Sequence, residues 1–188
     1  MPRLFVLSGS IRSGSLNTKL AAAFASALAK LDADVTLISL SDYPMPLFDG
    51  DIEHGSGAPA SADKLRGLLA AHDGGFIASP EYNSGITPLL KNTLDWVSRS
   101  KVAGEPFKGK VFALGSASPG GYGGFRAQMG TRQILELGLG AIVIPQSVAV
   151  GSAHHAFDEA GHLKDERSAA MMADSAKMLV QTAAALRP

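Results

Sequence analysis

Three short stretches of this chain hold most of the side chains and backbone groups suited to gripping a small ligand. The first is Ser8-Gly9-Ser10-Ile11-Arg12-Ser13-Gly14-Ser15-Leu16-Asn17-Thr18, a hydroxyl-rich segment that ends where an apolar period of helical spacing begins. Backbone N–H groups at a helix start have no intrahelical acceptor and sit at the positive end of the helix dipole, so a phosphate docks there. Ser10, Arg12, Ser15 and Asn17 add side-chain donors. Gly9 and Gly14 have Walker-loop spacing, but Ser15 and Leu16 stand where Lys and Ser or Thr are required, and Ala78-Ser79 brings no magnesium-binding acid. The stretch is not GxGxxG either, and Asp34 precedes the second apolar run instead of following it, where it could hold a ribose. The bland alternative is that Ser15 only caps a helix and Arg12 is solvated. The stretch points to a phosphate without saying which.

The second stretch is Ala78-Ser79-Pro80-Glu81-Tyr82-Asn83-Ser84-Gly85-Ile86-Thr87-Pro88, and the third is Gly115-Ser116-Ala117-Ser118-Pro119-Gly120-Gly121-Tyr122-Gly123-Gly124. A planar redox ring needs an apolar or aromatic wall, backbone N–H and C=O groups along its polar edge, and glycine where backbone must come close. The second stretch offers all three, and the glycine density of the third fits a wall that meets a ring edge-on. Read alone, the third is equally a flexible connector. An anion loop followed by an aromatic, amide-rich loop is the polarity order of a mononucleotide.

Other chemistries lack their residues. The absence of cysteine excludes a disulfide framework, a thiolate nucleophile and thiolate-bound iron–sulfur clusters, so any redox function sits on an organic cofactor. Five histidines are present, but His154 and His155 are adjacent and diverge, His54, His72 and His162 are scattered, and no HExxH spacing occurs. Seventeen basic residues balance seventeen acidic ones, leaving no broad field for nucleic acid or an anionic membrane surface. The apolar run Leu4 to Leu7 is too short for a signal segment, and no stretch approaches a membrane span, so a cytoplasmic protein is expected.

Positioning these loops falls to an alternation of short apolar runs and longer helical periods, the pattern of a parallel sheet with crossover helices. Expected strands are Leu4 to Leu7, Val35 to Ser39, Phe76 to Ser79, Val111 to Leu114 and Ala141 to Ile144, most of them buried on both faces. The first helix shows Leu16, Leu20, Ala23, Phe24, Ala27 and Leu31 on one face, and the last shows Met171, Ser175, Met178, Leu179, Thr182 and Leu186. Between them lie helices over Ala62 to His72, Pro88 to Ser100 and Tyr122 to Gly138. Tyr43 to Ser61, with Pro44, Pro46 and Pro59, resists a periodic reading and is expected as a long loop near the site or a partner subunit. The 188 residues, 46% of them hydrophobic, suffice for one domain with a substantial core, 1–188, built as a five-stranded α/β sandwich in strand order 2-1-3-4-5. In that order the three stretches meet at the carboxyl edge, at the switch point.

Gly9-Ser10-x-Arg12 to Ser15-x-Asn17, Pro80-Glu81-Tyr82-Asn83 and Leu90-Lys91-Asn92 to Asp95-Trp96 to Ser98-Arg99 resemble the NADPH-dependent FMN reductase family over essentially the full chain. The resemblance implies a flavodoxin-like fold, bound FMN, NADPH or NADH as electron donor, and small acceptors such as quinones, azo dyes, chromate, ferric complexes or free flavin. It places Ser10, Arg12, Ser15, Leu16 and Asn17 on the FMN phosphate, Pro80, Glu81, Tyr82, Asn83 and Ser84 along the isoalloxazine, and Ser116 and Ala117 at the rest of the ring pocket. Lys91, Asn92, Asp95, Trp96 and Arg99 would support the flavin loop and an oligomer contact, in a homodimer or homotetramer with Tyr43 to Ser61 and Ser98 to Pro106 near a partner's flavin. Where the family commonly has Pro-Gly after the flavin loop, this chain reads Ile86-Thr87-Pro88-Leu89, a departure that bears on acceptor choice. The implied cycle is ping-pong hydride transfer through the flavin, with no obligatory protein acid or base and with Glu81 and Tyr82 as orienting residues. The alternative is an FMN-binding electron carrier with no nicotinamide oxidation of its own, against which the neutral charge balance weighs.

Overall fold

The computed structural model describes residues 1–187. Five parallel strands, β1 (Arg3–Ser8), β2 (Asp34–Ile38), β3 (Gly74–Ala78), β4 (Val111–Ala117) and β5 (Ile142–Val150), form one sheet in the order β2-β1-β3-β4-β5, the expected flavodoxin-like order. The helices are α1 (Leu16–Ala29), α2 (Gly50–Ser56), α3 (Ala60–Ala70), α4 (Pro88–Arg99), α5 (Phe125–Gln133), which runs on as a π turn over Ile134–Gly138, and α6 (Glu166–Ala185). Among the described residues no helix is long and apolar enough to cross a membrane.

Each sheet face carries its own core. Leu4, Val6, Phe76, Val111 and Ala113 meet α1 and α6 on one side, while Phe5, Leu7, Ile77, Phe112 and Leu114 meet α3 and α4 on the other. Strands β3 and β4 are buried throughout, and β1 from Leu4 onward, because helices cover both faces, as a parallel sheet demands. Phe24 of α1 stacks on Phe76 of β3 with centroids 3.7 Å apart and planes within 6°. That stack needs Gly115, since a Cβ there would lie 2.4 Å from Phe76.

Several boundaries differ from the sequence expectation. Strand β3 begins at Gly74, not Phe76, because Gly74 and Gly75 pass so close to Val111 and Phe5 that no side chain fits. Strand β5 extends to Val150, past Pro145, by a register shift that sets Phe112 against Val143 and Leu114 against Ser147. Proline lacks the N–H a central strand needs, and an edge strand with an irregularity accommodates it. The helix expected over Tyr122 to Gly138 starts only at Phe125, after Gly123 and Gly124 at φ of +61° and +81°. Helix α6 buries Ser175, Ala176, Leu179 and Ala183, whereas Met171 and Leu186 of the expected face are exposed.

The expected long loop over Tyr43 to Ser61 is largely ordered by local structure. Asp49 caps α2 by accepting from the Asp51 N–H, and Ala60 and Ser61 already belong to α3. Its first part is stapled to α4, where Asn92 Nδ2 and Trp96 Nε1 both donate to the Pro46 carbonyl at 2.8 Å and Asn92 Oδ1 accepts from the Phe48 N–H at 2.7 Å. Three prolines hid this from a periodicity reading because the fixing groups come from another element.

Two outcomes follow. Gly115→Ala should destabilise the protein by about 1–3 kcal/mol, the cost of overpacking a filled core, seen as a lower denaturant midpoint at unchanged slope. Asp165 caps α6 by accepting from the Ser168 hydroxyl and N–H, and these bonds hold its carboxyl below the usual carboxylate range. A folded-state value below the unfolded one gives stability that is present above the ordinary carboxylate range and lost as pH falls through the lowered value. Asp165→Asn keeps a capping oxygen but removes the titration, so the acid limb of a stability–pH curve should flatten.

Candidate functional site

The three chemistry-bearing stretches lie at the carboxyl ends of β1, β3 and β4, three neighbouring strands. In the first loop, Ser15 is the cap of α1, its Oγ accepting from the Thr18 N–H at 3.4 Å. Ser8 Oγ and Ser10 Oγ accept from the N–H groups of Ser10 and Arg12, curling the loop back on itself. Gly14 reaches φ of +70° with open space around the position of a Cβ. Among the described residues, the backbone N–H groups of Leu16 and Asn17 have no acceptor, and the exposed Arg12 guanidinium forms no ion pair or hydrogen bond. Two orphan N–H groups at the start of a 14-residue helix beside a free guanidinium are a donor set for a dianion.

The second loop turns on itself between Tyr82 and Gly85, whose N–H and C=O groups bond reciprocally at 3.0 and 2.9 Å. Asn83 and Ser84 between them sit at φ of +50° and +65°, the signature of a type I′ turn. Asn tolerates this, but Ser does so at a cost of order 1 kcal/mol, strain of the kind that collects at ligand loops. Tyr82 is 51% exposed, as a ring wall must be.

Side chains tie the loops together. Thr87 Oγ1 donates to the Gly9 carbonyl at 2.7 Å and accepts from the Leu90 N–H at 3.2 Å, so one buried hydroxyl caps α4 and binds the second loop to the first. Asn17 Nδ2 donates to the Ala117 carbonyl at 2.8 Å while its Oδ1 accepts from the Ala117 N–H at 2.9 Å, joining the first loop to the third. Glu81 ties the second loop to the start of α5, just past the third, accepting from the Arg126 backbone N–H at 3.0 Å and pairing with its guanidinium at 2.7 Å. This carboxylate sits at the first turn of α5, where the helix dipole favours it.

The expected site residues are therefore brought together, with some side chains otherwise engaged. Asn17, expected as a phosphate donor, spends its amide on Ala117, leaving its backbone N–H toward the loop. Glu81, expected along a ring, has its carboxylate on the first turn of α5. Ser116 is fully buried, its Oγ accepting from Gln128 Nε2 at 2.6 Å and its backbone paired with β5 opposite Ala149, so it is placed beneath the site as part of its floor. Thr87 and Arg126 were missed in the sequence reading. Thr-Pro before an apolar helix is a legible cap signal, whereas the Arg126 contact crosses 45 residues and leaves no local trace.

A groove of about 1190 Å³ opens behind the second loop, between α4 and α5 with its π turn, and Ile86 and Pro88 stand at one end of it. None of the first-loop residues lines it. The anion loop and this groove are separate features, and the donor chemistry belongs to the loop.

A five-stranded 2-1-3-4-5 sheet with an anion loop and a strained aromatic loop at its switch point defines a flavodoxin-like mononucleotide-binding protein. Residues 2–155 match the model of the NADPH-dependent FMN reductase family. An NAD(P)H-dependent FMN reductase of Pseudomonas aeruginosa is 37% identical over 164 residues, 86% of this chain and 84% of that protein. A quinone reductase of Escherichia coli K12 is 36% identical over 134 residues, 71% of this chain and 69% of its own. Among solved structures, FerB, a flavoenzyme NAD(P)H:(acceptor) oxidoreductase from Paracoccus denitrificans, superposes with a TM-score of 0.83 at 27% identity, covering 98% of both chains. The chain belongs to the NADPH-dependent FMN reductase family. It is an oxidoreductase with FMN as its flavin and NAD(P)H as its electron donor.

Thr87→Val keeps shape but strips both bonds of the Oγ1. We expect a loss of about 2 kcal/mol, measured by chemical denaturation, because the Leu90 N–H and Gly9 carbonyl are left without their partner.

Proposed function

We propose that residues 1–188 work as one FMN-binding domain that moves electrons in ping-pong fashion from NADPH or NADH to quinones and similar small acceptors, with azo compounds, chromate, ferric complexes and free flavin in the same class. The observation that carries this reading is the meeting of a dianion donor set with an exposed aromatic loop at one sheet edge. Bound FMN supplies a ring that takes hydride from one partner and returns it to another. The chain's own part is position and charge. Arg12, the hydroxyls of Ser10 and Ser15, and the N–H groups of Leu16 and Asn17 hold the phosphate. The backbone of Pro80, Glu81, Asn83 and Ser84 would line the ring, Tyr82 would wall it, and Ser116 and Ala117, whose backbone groups are already bonded within the sheet and to Asn17, would pack at the far side. Donor and acceptor then use the same open face in turn, which an exposed Tyr82 permits.

Homodimer or homotetramer assembly fits the exposed Phe125, Met129 and Leu137, which follow one another along α5 and its π turn. A cytoplasmic setting fits an enzyme that consumes reduced nicotinamide. The neutral overall charge disfavours a carrier that docks through a one-sided field.

Visible absorption of the purified, FMN-loaded protein is the direct test. Anaerobic NADPH should bleach the flavin bands and a quinone should restore them; bands that persist with NADPH would identify a carrier instead. Arg12→Ala should weaken FMN binding about tenfold or more, the worth of one charge-assisted contact, while riboflavin, which lacks the phosphate, binds as before.

A further inference from the structure

The ladder of the sheet runs out at the carboxyl edge one strand at a time. Strand β3 ends at Ala78 opposite Gly115, and the Ser79 N–H makes the last bond on that side, to the Gly115 carbonyl at 2.9 Å. In a strand, successive residues direct their backbone groups to opposite neighbours. Ser118 accordingly turns to β5, its N–H donating to the Val150 carbonyl, while Ala117 faces the side that β3 has left. Both groups of Ala117 would be orphaned there, in a buried position. The Asn17 side chain fills the gap with a donor and an acceptor set side by side, as in a peptide, at 2.8 and 2.9 Å across 100 residues. It is 3% exposed.

We infer that Asn17 is a positioning residue that continues the β3–β4 ladder by one residue and so locks the third loop to the start of α1, and that its side chain is not a ligand of the flavin phosphate. The inference rests on the flavin-binding reading of this edge. Asn17 faces two ways: its backbone N–H, unpaired at the helix start, looks to the anion loop, and its amide looks into the sheet. Asp lacks the donor and Leu lacks both groups, so an amide is required. Without the clamp, Ala117 and the glycine-rich run after it lose their fixed distance from the anion loop, whatever the ligand carries at its phosphate end.

The test compares FMN with riboflavin, titrated by flavin fluorescence quenching into apoprotein of the wild type, Asn17→Ala, Asn17→Leu and Arg12→Ala. A clamp predicts that both Asn17 variants weaken FMN and riboflavin by the same factor, about tenfold for one buried bonded pair, with their affinity ratio kept. Arg12→Ala, by contrast, should collapse that ratio. A loss confined to FMN in the Asn17 variants would make Asn17 a phosphate ligand, and no loss for either flavin would make the clamp idle; both overturn the inference. Hydrogen exchange on the wild-type apoprotein gives an answer that depends on neither variant folding nor flavin binding. The Ala117 amide should be protected like the strand interior, and rapid exchange there would sink the clamp. Should the wild type bind neither flavin, the functional reading falls while the exchange result still decides the role of Asn17.

Discussion

Everything at the carboxyl edge depends on what replaces the ladder once the strands stop. Within a residue or so of the ends of β1, β3 and β4 the backbone loses its sheet neighbours, and ordering it costs on the order of 1–2 kcal/mol per residue. Thr87, Asn17 and Glu81 meet that cost pairwise, one side chain joining first loop to second, one first to third, and one the second to the start of α5 just beyond the third. Two of these are neutral and buried, where an unmade bond is expensive; the third is an ion pair with one exposed partner and contributes less. The result is a rigid frame in which the flexible-looking glycines are confined.

The frame in turn inherits its geometry from the core beneath it. Phe24 flat on Phe76 sets how α1 lies across β3, and the missing side chain at Gly115 makes room for that contact. Since α1 starts at Leu16 and its N–H groups aim along the axis, the stack two turns further on decides where an anion is received. On the opposite face, Gly9 comes so near α4 that a Cβ would lie 3.2 Å from Leu90. The first loop is thus bounded by packing on both sides before any ligand arrives.

Much of this was legible in the chain. Alternating apolar runs and helical periods reveal the sheet and its order, because burying both faces of a parallel sheet requires that pattern. Ser15 before Leu16, and Thr87-Pro88 before Leu89, mark helix starts through local chemistry. What escaped was long-range. Gly74 and Gly75 fall outside the apolar run Phe76 to Ser79, yet they open β3, pressed against Val111 and Phe5. Pro145 reads as an end yet sits in an edge strand that shifts register. The side chains of Asn17 and Glu81 read as ligand groups, but their partners lie 100 and 45 residues away, and no spacing rule reports a contact of that kind. The Pro46 staple by Asn92 and Trp96 was hidden for the same reason.

The Glu81 and Arg126 pair has a kinetic meaning as well. Arg126 is 58% exposed at the mouth of the site, yet its charge is cancelled by a carboxylate at 2.7 Å. The pairing takes one exposed cation out of the field at this edge, on a chain whose formal charge is zero. Arg126 therefore adds little to any electrostatic steering of a charged ligand toward this edge.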